Sequence, residues 1–401
     1  MKKICLVVVG LYLSLLSAFS QSRDSTQYKS RKLKIDEVNL VNSYYNQDGN
    51  NSGVTGGIGT EKLVDVANII EVQLSRYDSL GRKQSFDLSL GVDHYSSASS
   101  DKIDPHTISS ASSHDTRIYP AGSWSIENDK KRRTISFNAS ASHEFDYLSF
   151  GIGASVAKQS KDKNREFTVK AQAYLDQVTI ILPLELRKGA DTISSLHPRD
   201  DYPKAARNSF SASLSLSQII NKRFQVMFLT DLTYQQGFLG LPFYRVYFSD
   251  HSEKAELLPS TRFKFPIGAR ANYFVGNNIV IRSFYRFYVD DWGVTAHTFD
   301  LETAIKITPF FSISPFYRYY TQTAVNYFAP YEMHAPTDKY FTSDYDLSAF
   351  HSSFVGMGFR VAPPKGVLGN QHWSILELRY GHYMQSNTLN SNIISMNLKF
   401  K

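Results

Sequence analysis

Ile394, Met396, Leu398 and Phe400 alternate strictly with Ser395, Asn397 and Lys399, so the stretch from Asn390 to Lys401 is apolar on one strand face and polar on the other. A period of two suits no helix, and a two-faced strand with an aromatic at its end is how bacterial outer-membrane β-barrels usually close. Its apolar face calls for lipid and its polar face for a lumen. A closed barrel is the one sheet that leaves no unpaired edge in hydrocarbon.

The other end of the chain agrees. Lys2 and Lys3 precede a mostly apolar run from Ile4 to Leu16, followed by Ala18-Phe19-Ser20 ahead of Gln21. A short charged region, an apolar run too short to span a bilayer and a small-x-small site spell a secretory signal peptide. We expect residues 1–20 to be removed on export, residues 21–35 to form a polar lead, and residues 36–401 to form the barrel. Cys5, the single cysteine, lies inside the apolar run and not at its boundary, so the exported chain is expected to carry no disulfide, thiolate metal site or lipidated cysteine. A lead this short leaves no room for a folded plug domain, which argues against energised uptake.

Composition separates the remaining classes. The net charge of +7 falls to +5 without Lys2 and Lys3, with no basic block, so nucleic acid is excluded as a partner. Twenty-five Tyr and 27 Phe raise the aromatic share to 14%, while mean hydropathy is −0.30 and no apolar run is long enough for a membrane helix. Strands that face lipid and water by turns produce this combination.

Period-two segments recur through the second half of the chain. Phe224, Val226, Phe228, Leu232 and Tyr234 share one face; Ile279, Ile281, Tyr285, Phe287 and Val289 oppose Arg282, Arg286 and Asp290; Phe311, Ile313, Tyr317 and Tyr319 oppose Ser312, Ser314 and Arg318. Tight turns are expected near Phe145-Asp146, Asp176-Gln177, Asn221-Lys222, Gly276 to Asn278 and Thr308-Pro309, with a slightly longer one from Tyr77 to Lys83. Long polar connections are expected at Asn46 to Lys62, Ser96 to Lys131, Lys188 to Arg207, Gln236 to Thr261 and Gln322 to Tyr345. Short and long connections in strict alternation correspond to periplasmic turns and extracellular loops. The resulting fold is all-β: a transmembrane antiparallel barrel of about sixteen strands, with fourteen to eighteen fitting the same pattern. The first strand is read at Val38 to Tyr44.

The segments Asn42 to Ser52 and Thr55 to Glu61, then Tyr95 to Ser100, Tyr317 to Ala324 and Ser343 to Leu347, resemble a family of uncharacterised Gram-negative outer-membrane proteins defined only as a domain of unknown function. The similarity spans the whole exported chain. It implies a barrel in the outer membrane and, because genes of that family often lie near a thioredoxin-like protein and a flavin-attaching enzyme, a redox-linked periplasmic setting. It implies no catalytic residue.

Candidate chemistry lies on the faces opposite the apolar ones. Arg270, Arg282, Arg286, Asp300, Glu302, Arg318 and Arg379 are expected to line the lumen, as are Lys264, Asp290, Lys306, Arg360 and Glu377. Folding hairpins about their turns sets Asp300 about opposite Arg318, and Asp300 or Glu302 about opposite Arg282. Such charges serve either as a selectivity constriction or as an ion-pair network that braces the barrel.

A Ser/Asp-rich stretch carries Asp93, Asp101, Asp104 and Asp115, and includes a short repeat from Ser96 to Asp101 that returns from Ser109 to Asp115. Its carboxylates and hydroxyls suit calcium, although the spacing is no EF-hand and solvated turns share this composition. Thr55-Gly56-Gly57-Ile58-Gly59-Thr60 lacks the lysine of a phosphate loop and reads as a flexible connection. The eleven His are scattered, with no zinc-ligand spacing, so solvated or lumenal positions are the default. His94, His143 and His351 are the candidates for a hydrolase at the barrel wall, but no nucleophile elbow marks a partner serine. Trp124, Trp292 and Trp373 read as membrane-interface anchors.

Two functions fit this pattern. One is passage of a small polar or ionic solute through a charge-lined lumen. The other is a non-conducting scaffold that holds a lipoprotein or a periplasmic redox partner.

Overall fold

The computed structural model describes residues 31–96, 114–187 and 202–401. The expected signal peptide, most of the polar lead, Asp101, Asp104 and most of the Ser/Asp repeat lie outside the described residues.

The strands are β1 (Lys34–Asp48), β2 (Leu63–Tyr77), β3 (Lys83–Ser96), β4 (His114–Asn128), β5 (Arg133–His143), β6 (Tyr147–Gln159), β7 (Arg165–Thr179), β8 (Lys204–Asn221) and β9 (Phe224–Gly237). Two short strands follow, β10 (Arg245–Tyr247) and β11 (Glu253–Ala255). Next come β12 (Thr261–Val275), β13 (Ile279–Asp290), β14 (Thr295–Thr308), β15 (Phe311–Gln322), β16 (Phe350–Val361), β17 (Trp373–Gln385) and β18 (Asn390–Phe400). All but β10 and β11 close into one barrel of sixteen strands, each next to its sequence neighbour, with β18 returning to β1. The closing seam is antiparallel from Val38↔Phe400 to Asp48↔Asn390, and Lys399 Nζ meets Glu37 Oε1 across it at 2.7 Å.

Side-chain alternation explains why this sheet closes. In β6 the bulky Phe150, Ile152 and Val156 are exposed on the outside, while Ser149, Gly151, Gly153 and Ser155 face inward. Phe228 (57% exposed) and Ile394 (51%) continue the same outer surface, which is stable only against lipid. The molecule is an outer-membrane β-barrel. The register shifts in β1, β8, β14 and β17 all fall at the periplasmic end, where bulges steepen the twist.

Three expectations about the strands and their connections need correction. The turn expected at Asp176-Gln177 is the interior of β7: Asp176 faces inward and accepts from Tyr147 Oη at 2.5 Å, so a lumenal polar residue looked like a turn. The long loop expected from Ser96 to Lys131 contains β4, disguised by Pro120 and Gly122; the β4–β5 register passes from Ile118 to Ala121 without Pro120, which has no N–H to donate. These two errors offset each other in the strand total. Nor do short and long connections alternate strictly. Phe145-Asp146, 291–294 and 386–389 are short links at the extracellular end, and 362–372 is the longest on the periplasmic side.

The long extracellular loops 49–62, 238–260 and 323–349 pack on one another as a cap. β10 and β11 pair within it, Leu257 bridges to Phe341, and Phe248 to His334. Val246, Phe248 and Phe341 form one buried cluster; Leu258, Trp292, Val294, Ala296 and Val325 form another. Trp292 is therefore no membrane anchor: it is 3% exposed and its indole N–H donates to Thr261 O at 2.8 Å. Trp124 does face outward, beside Phe86 and Phe137.

Arg245 pins the cap. It is 1% exposed, lies 2.6 Å from Glu185 and 3.3 Å from Glu253, and donates to Val54 O at 2.6 Å. Arg245→Met leaves those carboxylates without their cation, which costs about 3–5 kcal/mol when a buried pair is broken. Limited proteolysis should then cut residues 238–260 much faster than in the parent while the barrel resists; equal cutting would mean that Arg245 does not hold the cap.

Candidate functional site

Arg270, Arg282, Asp300, Glu302, Arg318 and Arg379 surround one cavity of about 530 Å³ inside the barrel. Register alone sets two of its contacts. Asp300 is directly opposite Arg318 and Glu302 directly opposite Arg282, and each pair closes to 2.6 Å. The expected facing of Asp300 and Arg318 therefore matches, and of the two partners considered for Arg282 the register selects Glu302.

The third contact joins strands that are not neighbours. Arg379 on β17 crosses β16 and β15 to reach Glu302 on β14 at 2.8 Å, with its guanidinium 4.7 Å above the Phe316 ring. The space for this reach comes from glycine. Phe316 lies so close to Gly356 that a Cβ there would sit 2.4 Å from the ring, and Gly358 lies directly opposite Arg379. Glu302 thus holds Arg282 and Arg379 together. Arg286 faces inward from β13 but does not line this cavity.

The cavity belongs to a column. Above it lies a space of about 370 Å³ that shares Arg318, Phe354 and Ile393 with it. Below it lies one of about 290 Å³ that shares Arg282, Glu302 and Arg379, and adds the Arg360–Glu377 pair at 3.0 Å. The lowest, about 310 Å³, shares Ala304, Ser312 and Arg360 with the one above and opens among the turn residues Asn277, Asn278 and Pro309.

Two further groupings of charge escaped the sequence reading, which took Asp93 for a calcium candidate in a Ser/Asp-rich stretch and not for a lumenal residue of β3. Half the barrel's circumference away from β12 and β13, strands β2 and β3 turn Asp65, Glu71, Asp87 and Asp93 inward. Asp93 accepts from Tyr119 Oη at 2.7 Å and Asp87 from Ser123 Oγ at 2.9 Å. Strands β12 to β17 contribute Arg262, Lys264, Arg270, Arg282, Arg286, Arg318, Arg360 and Arg379 against Asp290, Asp300, Glu302 and Glu377. An arginine-rich wall therefore faces a carboxylate-rich one. The alternation that would have revealed the acidic wall was legible in Asp65 to Glu71 and Asp87 to Asp93.

The second group is the underside of the cap. Glu61 and Asp346 line the uppermost cavity with Tyr45, Gln47, Tyr383 and Gln385. Burial and the like charge of Asp346 push the Glu61 carboxyl up to about 7. Glu256 is pushed to about 7 by burial, against the opposing pull of Thr342 Oγ1 and Leu241 N, which donate to it at 2.5 and 2.6 Å. Burial and the neighbouring Asp346 raise Asp344 well above the carboxylate range, and Asp346 is raised by its own desolvation. Asp346 is wetted by the cavity, yet it lies deep within the protein envelope, which is why its charge is costly.

Asp115, of the calcium candidates, accepts from Phe145 N at 3.0 Å and Thr116 N at 2.7 Å. No group of three metal-ligating side chains occurs among the described residues. His94, His143 and His351 lie on the outward face, and none makes a ring hydrogen bond to a serine hydroxyl among the described residues.

A family model described as "Protein of unknown function (DUF3570)" matches residues 11–393. The chain belongs to that family. No curated protein matches this DUF3570 member. Among solved structures, Pseudomonas aeruginosa OpdK with vanillate is similar at 8% identity and a TM-score of 0.43, over 92% of this chain and 98% of OpdK. P. aeruginosa OccK9 (OpdG) is similar at 9% identity and 0.43, over 92% and 98%. A BenF-like porin from Pseudomonas fluorescens Pf-5 is similar at 9% identity and 0.42, over 94% and 100%.

Proposed function

We propose that this DUF3570 barrel is a passive, non-enzymatic conduit for a small anionic solute, which moves along the arginine-rich wall. The observation that carries this reading is the column of four cavities, each sharing wall residues with the next, from beneath the cap to the periplasmic turns. A carboxylate or phosphate group in that column meets guanidinium groups in steps, from Arg318 to Arg282 and Arg379 and then Arg360. Each of these is already tied to Asp300, Glu302 or Glu377, so contact with the solute is favourable enough to enter and weak enough to leave. The carboxylates of β2 and β3 push an anion toward the basic side, where low-dielectric walls focus the field.

Single-channel recording of the refolded exported chain in a planar bilayer, under a salt gradient, tests the reading. Steady conductance with an anion-selective reversal potential is expected. Silence from a folded barrel would overturn it and favour a scaffold that grips a lipoprotein or periplasmic redox partner, to be sought as a stoichiometric companion in native membranes.

A further inference from the structure

The barrel sorts its polar groups by face. Carboxylates go inward, whereas the outward face at the extracellular ends of the strands carries histidines. His94, His114, His143, His297, His351 and His382 each lie within four residues of that end of their strand. All six are on the lipid-facing parity, five of them exposed and His382 half-buried. Four residues of strand rise about 13 Å at most, so the six rings form one band around the barrel.

Three of the rings are held in a common way. His94 Nδ1 meets Thr116 Oγ1 at 3.0 Å, His297 Nδ1 meets Tyr285 Oη at 2.8 Å, and His382 Nδ1 meets Asn392 Oδ1 at 2.9 Å. The engaged nitrogen is Nδ1 each time, so Nε2 is the atom presented beyond the protein. The ring bodies rest on other rings: His297 beside Phe287, His351 stacked on Tyr319, and His94 beside His114. An imidazole so placed puts an apolar body at the hydrocarbon edge and a nitrogen in the headgroup layer.

Lys204 joins the band on the same face, and among the described strand residues there only Asp48 is a carboxylate. In a chain with 37 Asp and Glu, that near-exclusion marks a surface complementary to an acceptor-rich, anionic neighbour. We infer that the histidine band is a binding girdle for the phosphate groups of outer-leaflet lipid, with Nε2–H donating to phosphate oxygen at rings such as His94 and His297, whose Nδ1 accepts from a hydroxyl, while His382, whose Nδ1 donates to Asn392 Oδ1, adds its ring body to the band. Permanent cations occupy the corresponding outward positions at the periplasmic end, at Arg76, Arg133, Lys158 and Arg165, so the two leaflets meet different chemistry.

Carbethoxylation footprinting tests this on the intact exported chain, in micelles doped either with diphosphoryl lipid A or with the same glycolipid stripped of phosphate. The phosphorylated lipid alone should slow modification of the girdle histidines at least about ten-fold, the scale of a hydrogen bond to a charged group, and leave the exposed His251 and His372 unchanged. A variant with His94, His297, His351 and His382 all replaced by Phe keeps the ring bodies and should lose the preference for phosphorylated lipid. Equal protection by both lipids, protection that extends to His251 and His372, or a folded variant that keeps the preference would overturn the proposal. The footprint on the parent chain decides even if the variant does not fold.

Discussion

Reversing charge at Arg282 and Arg318 together should shift the ion selectivity of the barrel toward cations. Each arginine is about half exposed to the lumen (52% in both cases), so losing its pair with Glu302 or Asp300 costs little stability. The double Arg→Glu variant should therefore fold. In the column, however, two cationic steps become anionic beside Asp300, which has lost its partner, and Glu302, which keeps only Arg379. A unit charge at contact distance in water is worth about 1 kcal/mol, and two reversals lower the anion-to-cation permeability ratio by roughly ten-fold or more. Reversal potentials under a salt gradient read this directly. An unchanged potential in a folded, conducting variant would mean that solute bypasses this wall.

The second large effect is on pH. Glu61 and Glu256 are held at about 7 against an ordinary 4.5, and Asp344 and Asp346 are raised as well. The folded cap thus binds more protons than the unfolded loops, and linkage makes its stability fall as pH rises. Its packing is fully favourable below about 4.5, weakens through the interval up to about 7, and is weakest above it. Arg207 is a nearby cation that partly offsets this at Glu256. Hydrogen-exchange protection of residues 238–260 and 323–349, taken relative to the intrinsic amide rate at each pH, should fall from pH 5 to pH 8. Glu256→Gln, which keeps an oxygen for the Leu241 N–H and turns its amide N–H toward the Thr342 hydroxyl as acceptor, should flatten much of that dependence. Equal protection at both pH values in the parent would sink the idea.

Much of the barrel was legible because a membrane imposes its alternation on every strand. Phe224 to Tyr234 and Ile279 to Val289 announce their faces, and hairpin geometry then places Asp300 beside Arg318. The errors arose where the face pattern was written in other residues. Asp176 inside β7 and Pro120 inside β4 look like breakers, yet one is a lumenal acceptor and the other sits where the ladder can spare an N–H. Arg379 with Glu302 was beyond any hairpin argument, because the contact skips two strands and depends on Gly356 and Gly358 leaving room. The cap was read as polar connections because its apolar residues, such as Val246, Phe248 and Phe341, come from segments far apart and show no period.

That cap also bears on how the molecule is made. Asn51 Nδ2 donates to the carbonyl of Asn387 at 2.5 Å, a contact that spans 336 positions and joins the first extracellular loop to the last. Contacts of such separation carry the largest loop-closure entropy and form after local ones. Hairpins from β1 to β18 can zip in order, but Asn51 meets Asn387 only when β18 has found β1. The roof is therefore completed by the last stitch of the wall. A barrel caught open at its seam lacks both a sealed lipid face and the carboxylate-lined vestibule, so admission of solute waits on insertion being finished.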